Sequence, residues 1–154
     1  MDTAIVIAFT IPGEPVAKGR ARSTPLMRNG WPVIGKGGRP VVTQYTPEKT
    51  ARYENLVRLA AQQAMAGRDP EQGAVELTVR AFLPIPASWS MRKQRAAALG
   101  EIKPTKKPDL DNLLKAIKDG ANGVTWRDDA QVVDVRSSKR YGTPRVEVEI
   151  RSAA

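Results

Sequence analysis

Neither cysteine nor histidine occurs anywhere in the 154 residues. Disulfides, zinc fingers, thiol nucleophiles and imidazole general bases are therefore excluded. Any catalysis has to be run by carboxylates, lysines, tyrosines, hydroxyls or metal-bound water, and oxygen-only ligands suit hard cations such as magnesium. Long hydrophobic runs are lacking too. The apolar stretch from Thr3 to Ile11 is too short to span a bilayer and has no basic leader region or small-residue cleavage site. The chain reads as soluble and cytoplasmic, with no membrane association. It also has no internal repeat, no low-complexity tail, no dividing linker and no Gly-x-x-x-x-Gly-Lys-Ser/Thr phosphate loop.

What is abundant is positive charge. The 25 Lys and Arg against 16 Asp and Glu give a formal net charge of +9, which suits an acidic polymer and makes nucleic acid the first partner to consider. The length fits one ordinary domain, residues 1–154, with a core of its own.

The hydrophobic pattern predicts an α+β fold, a small mixed β-sheet with helices packed on it. Ile5, Ile7, Phe9 and Ile11 alternate up to Pro12-Gly13, as in a half-buried strand. Pro15 to Gly38 is rich in Gly, Pro, Lys and Arg and predicts a basic loop or loose hairpin turning at Asn29-Gly30. Lys18, Arg20 and Arg22, spaced by two, would share one side of an extended segment. Thr46-Pro47-Glu48 reads as a helix start with Thr46 as cap, and Tyr53, Leu56, Val57, Ala60 and Ala64 carry the apolar stripe to a stop at Gly67. Val75 to Leu83 alternates as a strand, and Ser88 to Leu99 suggests a short basic helix. Asn112 to Asp119 predicts another helix, with Leu110 just before it and Gly120 ending it. Val133 and Val135 suggest a strand, Val146, Val148 and Ile150 the last one, and Tyr141 to Pro144 the hairpin between them.

Acids concentrate around the second long helix. Asp109 and Asp111 precede Lys115 and Asp119 at helical spacing, and Asp128-Asp129 follows a turn later. Singly, each has an ordinary use as a cap, a surface pair or a turn residue. Together they crowd negative charge, which a divalent cation would relieve. Lys103, Lys106 and Lys107 stand just upstream, where they could grip phosphates beside such a metal, a pairing that phosphodiester cleavage requires.

The run Lys107-Pro108-Asp109-Leu110-Asp111-Asn112-Leu113-Leu114-Lys115, with Asp119-Gly120, Asn122-Gly123-Val124 and Trp126 to Val132, closely resembles the RusA family of Holliday junction resolvases. Pro12-Gly13, Lys18-Gly19-Arg20-Ala21-Arg22 and Tyr45-Thr46-Pro47 are similar to its phage-associated branch, although Pro15 to Gly38 is longer and more basic than in compact members. The resemblance implies a bacterial or phage-encoded, Mg2+-dependent crossover junction endodeoxyribonuclease of recombination and repair, with Mn2+ as a substitute. It implies a homodimer, matched to the two-fold symmetry of a four-way junction. It places the two acids of the family's Asp-x-Asp-Asn motif on Asp109 and Asp111, its lysine on Lys115 and the second acid of its later pair on Asp129. Asp109, Asp111 and Asp129 would then bind the metal, with Lys115 assisting at the phosphate and Asn112 in support. Lys18, Arg20, Arg22, Lys103, Lys106 and Lys107 are the candidate DNA contacts.

Two other readings use the same residues. One is a basic DNA-binding module without catalysis, whose acids are caps and surface pairs. The other is a metal-dependent phosphohydrolase acting on RNA or nucleotides.

Overall fold

A computed structural model of the chain describes residues 5–153, so the Thr3 end of the first apolar run lies outside the described residues. The α+β expectation holds. In chain order the elements are β1 (Ile5–Pro12), β2 (Arg22–Pro25), β3 (Met27–Arg28), β4 (Trp31–Pro32), β5 (Val42–Tyr45), α1 (Glu48–Met65), β6 (Val75–Leu83), α2 (Met91–Ala98), α3 (Leu110–Ala121), a 3-10 turn (Asp129–Gln131), β7 (Val132–Tyr141) and β8 (Arg145–Ser152). Four strands form one mixed sheet in the order β1-β8-β6-β7, with β8 antiparallel to both neighbours and β6 parallel to β7.

Alternation decides which face of the sheet is covered. Val75, Leu77, Val79, Ala81 and Leu83 of β6 are buried with Val146, Val148 and Ile150 of β8 and Ile7, Phe9 and Ile11 of β1. Against this face pack Tyr53, Val57, Ala61 and Met65 of α1 and Leu113, Ala116, Ile117 and Ala121 of α3. The other face carries the alternate, polar residues. There Arg80 hydrogen-bonds Glu149 and approaches Glu147 at 3.9 Å, and the bond from Arg80 holds the Glu149 carboxyl below its usual value.

Four local expectations are corrected. Helix α1 starts at Glu48 after a non-helical Pro47 and has no side-chain cap, so Thr46 does not fill that role. Its buried row steps by four from Tyr53 to Met65, leaving Leu56 at 38% exposure, and it ends with Ala66 and Gly67 both at positive φ. Gly120 does not stop α3 but lies inside it, buried against α1. Tyr141 to Pro144 is not a hairpin, because β6 lies between β7 and β8. The segment instead steps over the end of β6, where Gly142 N donates to Leu83 O at 2.9 Å and a Cβ would meet the Phe82 ring at 3.0 Å.

Gly120 sets the approach of the two long helices. A Cβ there would lie 2.6 Å from Val57 Cβ and 2.9 Å from the Glu54 carbonyl oxygen. Overpacking of this kind costs about 1–3 kcal/mol, although Ala gains about 1 kcal/mol over Gly in helix propensity. Urea unfolding should show Gly120→Ala losing up to about 2 kcal/mol net, the overpacking cost less the propensity gain, whereas Gly73→Ala, with nothing within 4 Å of the new methyl, stays within about 0.5 kcal/mol of the parent. Equal stability of the two variants would contradict the close contact.

Candidate functional site

The N-terminus of α3 is where the acids of the Asp-x-Asp-Asn run sit. Asp109 is the N-cap residue, extended at φ −70° and ψ 142°, and its carbonyl accepts the first helical bond from Leu113 N at 3.0 Å. Its carboxylate makes no capping bond. Asp111 lies in the first turn, and both side chains are exposed. The free N–H groups of a helix start favour negative charge here. Lys115 follows one turn on, also exposed, on the same side of the helix as Asp111. The preceding Lys103 to Pro108 stretch is pinned by Lys139 of β7, whose Nζ donates to the carbonyls of Lys106 at 2.9 Å and Pro108 at 3.1 Å. Nothing local in the sequence marks Lys139. It becomes visible only from register, opposite the buried Ala81 and hence on the helix-covered face.

Lys18 does not share a side with Arg20 and Arg22. It turns inward between the two long helices, where its ammonium pairs with Glu54 of α1 and with Asp119 of α3 at 2.8 Å. Its backbone N–H donates to Asn112 O, and Gly19 N donates to the buried Thr50 hydroxyl, both at 3.0 Å. Burial pulls the Lys18 pKa down, but the hydrogen bonds it donates to Asp119 and Glu54 outweigh it and hold the group above 10.5. The sequence pattern gave no sign of this clamp, because its partners lie 36 residues away and farther. Both Lys18 and Asp119 are thereby engaged in structure.

The clamp shapes a cavity of about 760 Å³ between the 14–22 segment, the start of α1 and the start of α3. Asp109 and Asn112 line one wall. Four cations, Arg20, Arg22, Lys49 and Lys107, and one further acid, Glu14, carry the charge on the remaining walls. Lys49 was not singled out by sequence; as a first-turn residue next to Glu48 it reads as an ordinary surface lysine. Lys103 and Lys106 are exposed in the preceding loop, outside this lining.

Asp128 and Asp129 belong to the other end of α3. Asn122 caps the C-terminus of the helix and bridges to Trp126, a fully buried residue whose Nε1 donates to Asp129 Oδ1 at 2.9 Å. Asp128 is the cap of the 3-10 turn: its Oδ1 accepts from Ala130 N at 2.8 Å, and its own N–H donates to Gln131 Oε1 at 2.8 Å. Gln131 in turn donates to the carbonyls of Glu71 and Gly73, fixing the turn to the start of β6. The 12 residues of α3 put its two ends about 18 Å apart along the axis, at 1.5 Å per residue, with Asp109 at one end and the Trp126–Asp129 turn tied to the other through Asn122. Among the described residues no three acids come close enough to hold one metal ion. Asp129 is held instead at the turn that Gln131 ties to the start of β6.

Replacing Lys18 by Met should cost about 1–3 kcal/mol, as it leaves Glu54 and Asp119 facing each other without a cation. The raised pKa means that this stabilisation is fully present below 10.5 and is lost as pH climbs through the folded value. Thermal denaturation should thus show a gap between parent and Lys18→Met at neutral pH that narrows as pH rises above 10.5. A gap that does not depend on pH would mean the lysine acts through packing alone.

No helix among the described residues is long and apolar enough to cross a membrane. The uncharacterised protein YqaN of Bacillus subtilis strain 168 is 39% identical to the chain over 154 residues, covering 96% of the chain and 97% of YqaN. The family model for endodeoxyribonuclease RusA matches residues 12–151, from the end of β1 to the end of β8, and so takes in both ends of α3, the Lys18 clamp and the cation-lined cavity. On this match across nearly the whole chain, the protein belongs to the RusA family of endodeoxyribonucleases.

Proposed function

We propose that the protein is a Mg2+-dependent, structure-selective endodeoxyribonuclease that resolves four-way DNA junctions by paired symmetric nicks, acting as a homodimer in recombination and repair. The observation that carries this reading is the pair of uncapped, exposed carboxylates at the start of α3, with Asp109 on a cavity where four cations outnumber it and Glu14.

In this reading Arg20, Arg22, Lys49 and Lys107 hold the phosphates that flank the scissile bond, so that the strand lies across the start of α3. Asp109 and Asp111 have the donor chemistry for a hard cation, being oxygen ligands without another partner. A bound Mg2+ supplies polarisation of the phosphoryl oxygen and a water of lowered pKa. Lys115 steadies the negative charge that develops on the phosphate, and the helix N-terminus adds its dipole. Asp129, held in the turn beyond the far end of α3 in its own chain, completes the acid set when it comes from a second protomer. Two protomers arranged about a two-fold axis would then build two such sites, one for each of two like strands.

The separation of the acids within one chain gives the non-catalytic reading a specific footing, since a lone protomer with this geometry would bind DNA and not cut it. Incubation of a synthetic four-way junction and a linear duplex with the intact protein and with Asp111→Asn, with and without Mg2+, separates the two. Paired nicks in the junction should require Mg2+ and fall at least about 100-fold in the variant, while its junction binding persists. Tight binding with no cleavage by either protein would make this a binding module. Hydrolysis of free nucleotides without preference for the junction would favour the phosphohydrolase.

A further inference from the structure

From Pro15 to Pro47 the chain contains no acidic residue, while Lys18, Arg20, Arg22, Arg28, Lys36 and Arg39 all fall in this interval. Beyond the Lys18 clamp the segment leaves the body of the protein as an arm. Its stem is β2 paired with β5, from Arg22 opposite Tyr45 to Pro25 opposite Val42. At the tip β3 and β4 form a two-residue hairpin through Asn29 at φ 51° and Gly30 at φ 80°, as expected of an Asn-Gly type I′ turn. A second turn, closed by Gly35 N donating to Arg39 O, is tied back through Val41 N to Val33 O and Val33 N to Leu26 O.

The apolar side chains of this arm are not used in the core. Trp31, at the tip, is 76% exposed, and Met27, Ile34 and Val42 are each 54% exposed. An indole left in water at a tight turn forgoes the transfer free energy that normally buries it. Arg28 is the cross-strand neighbour of Trp31 and so presents its guanidinium on the same face.

We infer that the arm is a wedge for branched DNA, in which Trp31 stacks on a base at the branch point while Arg28, Lys36 and Arg39 engage the flanking phosphates. This rests on the junction reading above and adds to it how the branch is recognised. Charge selects the occupant: an arm with four cations, Arg22, Arg28, Lys36 and Arg39, and no acid repels a second copy of itself and attracts a polyanion. Aromatic stacking is the one use of an exposed indole that nucleic acid rewards without regard to sequence. The stem also starts at Arg22, on the wall of the cavity that holds Asp109. From Arg22 to Asn29 the arm reaches at most roughly 23 Å at about 3.3 Å per residue, or about seven nucleotide steps from the cutting site at 3.4 Å each.

The probe is a four-way junction with 2-aminopurine at the branch point, bound without divalent metal. The parent protein should raise its emission several-fold as the base is unstacked. Trp31→Ala should leave emission near that of the free junction, and Trp31→Phe should restore most of the rise. With Mg2+, cleavage by Trp31→Ala should fall about tenfold or more and recover on a junction with two unpaired nucleotides at the branch. Emission and cleavage unchanged in Trp31→Ala would overturn the wedge, as would loss of dimers in sedimentation, which would make the tip a contact between copies. Absence of cleavage by the parent protein, with the Trp31-dependent rise intact, would instead overturn the nuclease reading and leave the wedge standing.

Discussion

The contact between α1 and α3 is the constraint on which the rest of the molecule depends. Gly120 has no side chain, so Val57 and the backbone at Glu54 can come within the distance a methyl would occupy. That closeness lets Glu54 and Asp119, one from each helix, share the Lys18 ammonium. The clamp in turn brings the 14–22 segment against the starts of α3 and α1, through Lys18 N to Asn112 O and Gly19 N to Thr50 Oγ1 respectively. The cation-lined cavity is the space this arrangement leaves, and the basic arm begins at its edge.

Charge is sorted by the fold more sharply than the net value of +9 suggests. The long acid-free interval forms the clamp and the arm. On the uncovered face of the sheet Arg80, Arg145 and Arg151 are matched by Glu147 and Glu149, which leaves that face near neutrality. Exposed carboxylates remain at the start of α3, where the helix terminus favours them and nearby cations would bring a phosphate backbone close.

Elements whose signal is periodic were legible in the sequence. Val75 to Leu83 alternates because one face meets helices and the other does not, and the strand is found with those bounds. The Asn29-Gly30 hairpin was legible because few other pairs accept two positive φ angles. The exposed side of α3, with Asp111 and Lys115, was legible as well, although the helix begins at Leu110, two residues before the expected Asn112. What was hidden depends on distant partners. An inward Lys18, a pinning Lys139 and a step across β6 at Gly142 each require knowing what lies opposite, and local spacing carries no such information. Gly120 looked like a helix stop because the sequence does not reveal that Val57 needs the room. The distance between Asp109 and Asp129 was hidden for the same reason. Two acids near one helix look close in the chain even when the helix lies between them.

In the proposed reading, that separation would make a second protomer part of the chemistry and not merely of the symmetry. The most direct measurement is junction nicking by Asp111→Asn and Asp129→Asn proteins, each alone and after co-expression in the same cell. If Asp129 of one protomer serves the Asp109–Asp111 pair of the other, each variant alone is inert, while mixed dimers retain one intact site and produce single nicks. Co-expressed protein as inert as either variant would contradict the account, placing both lesions in the site of a single chain.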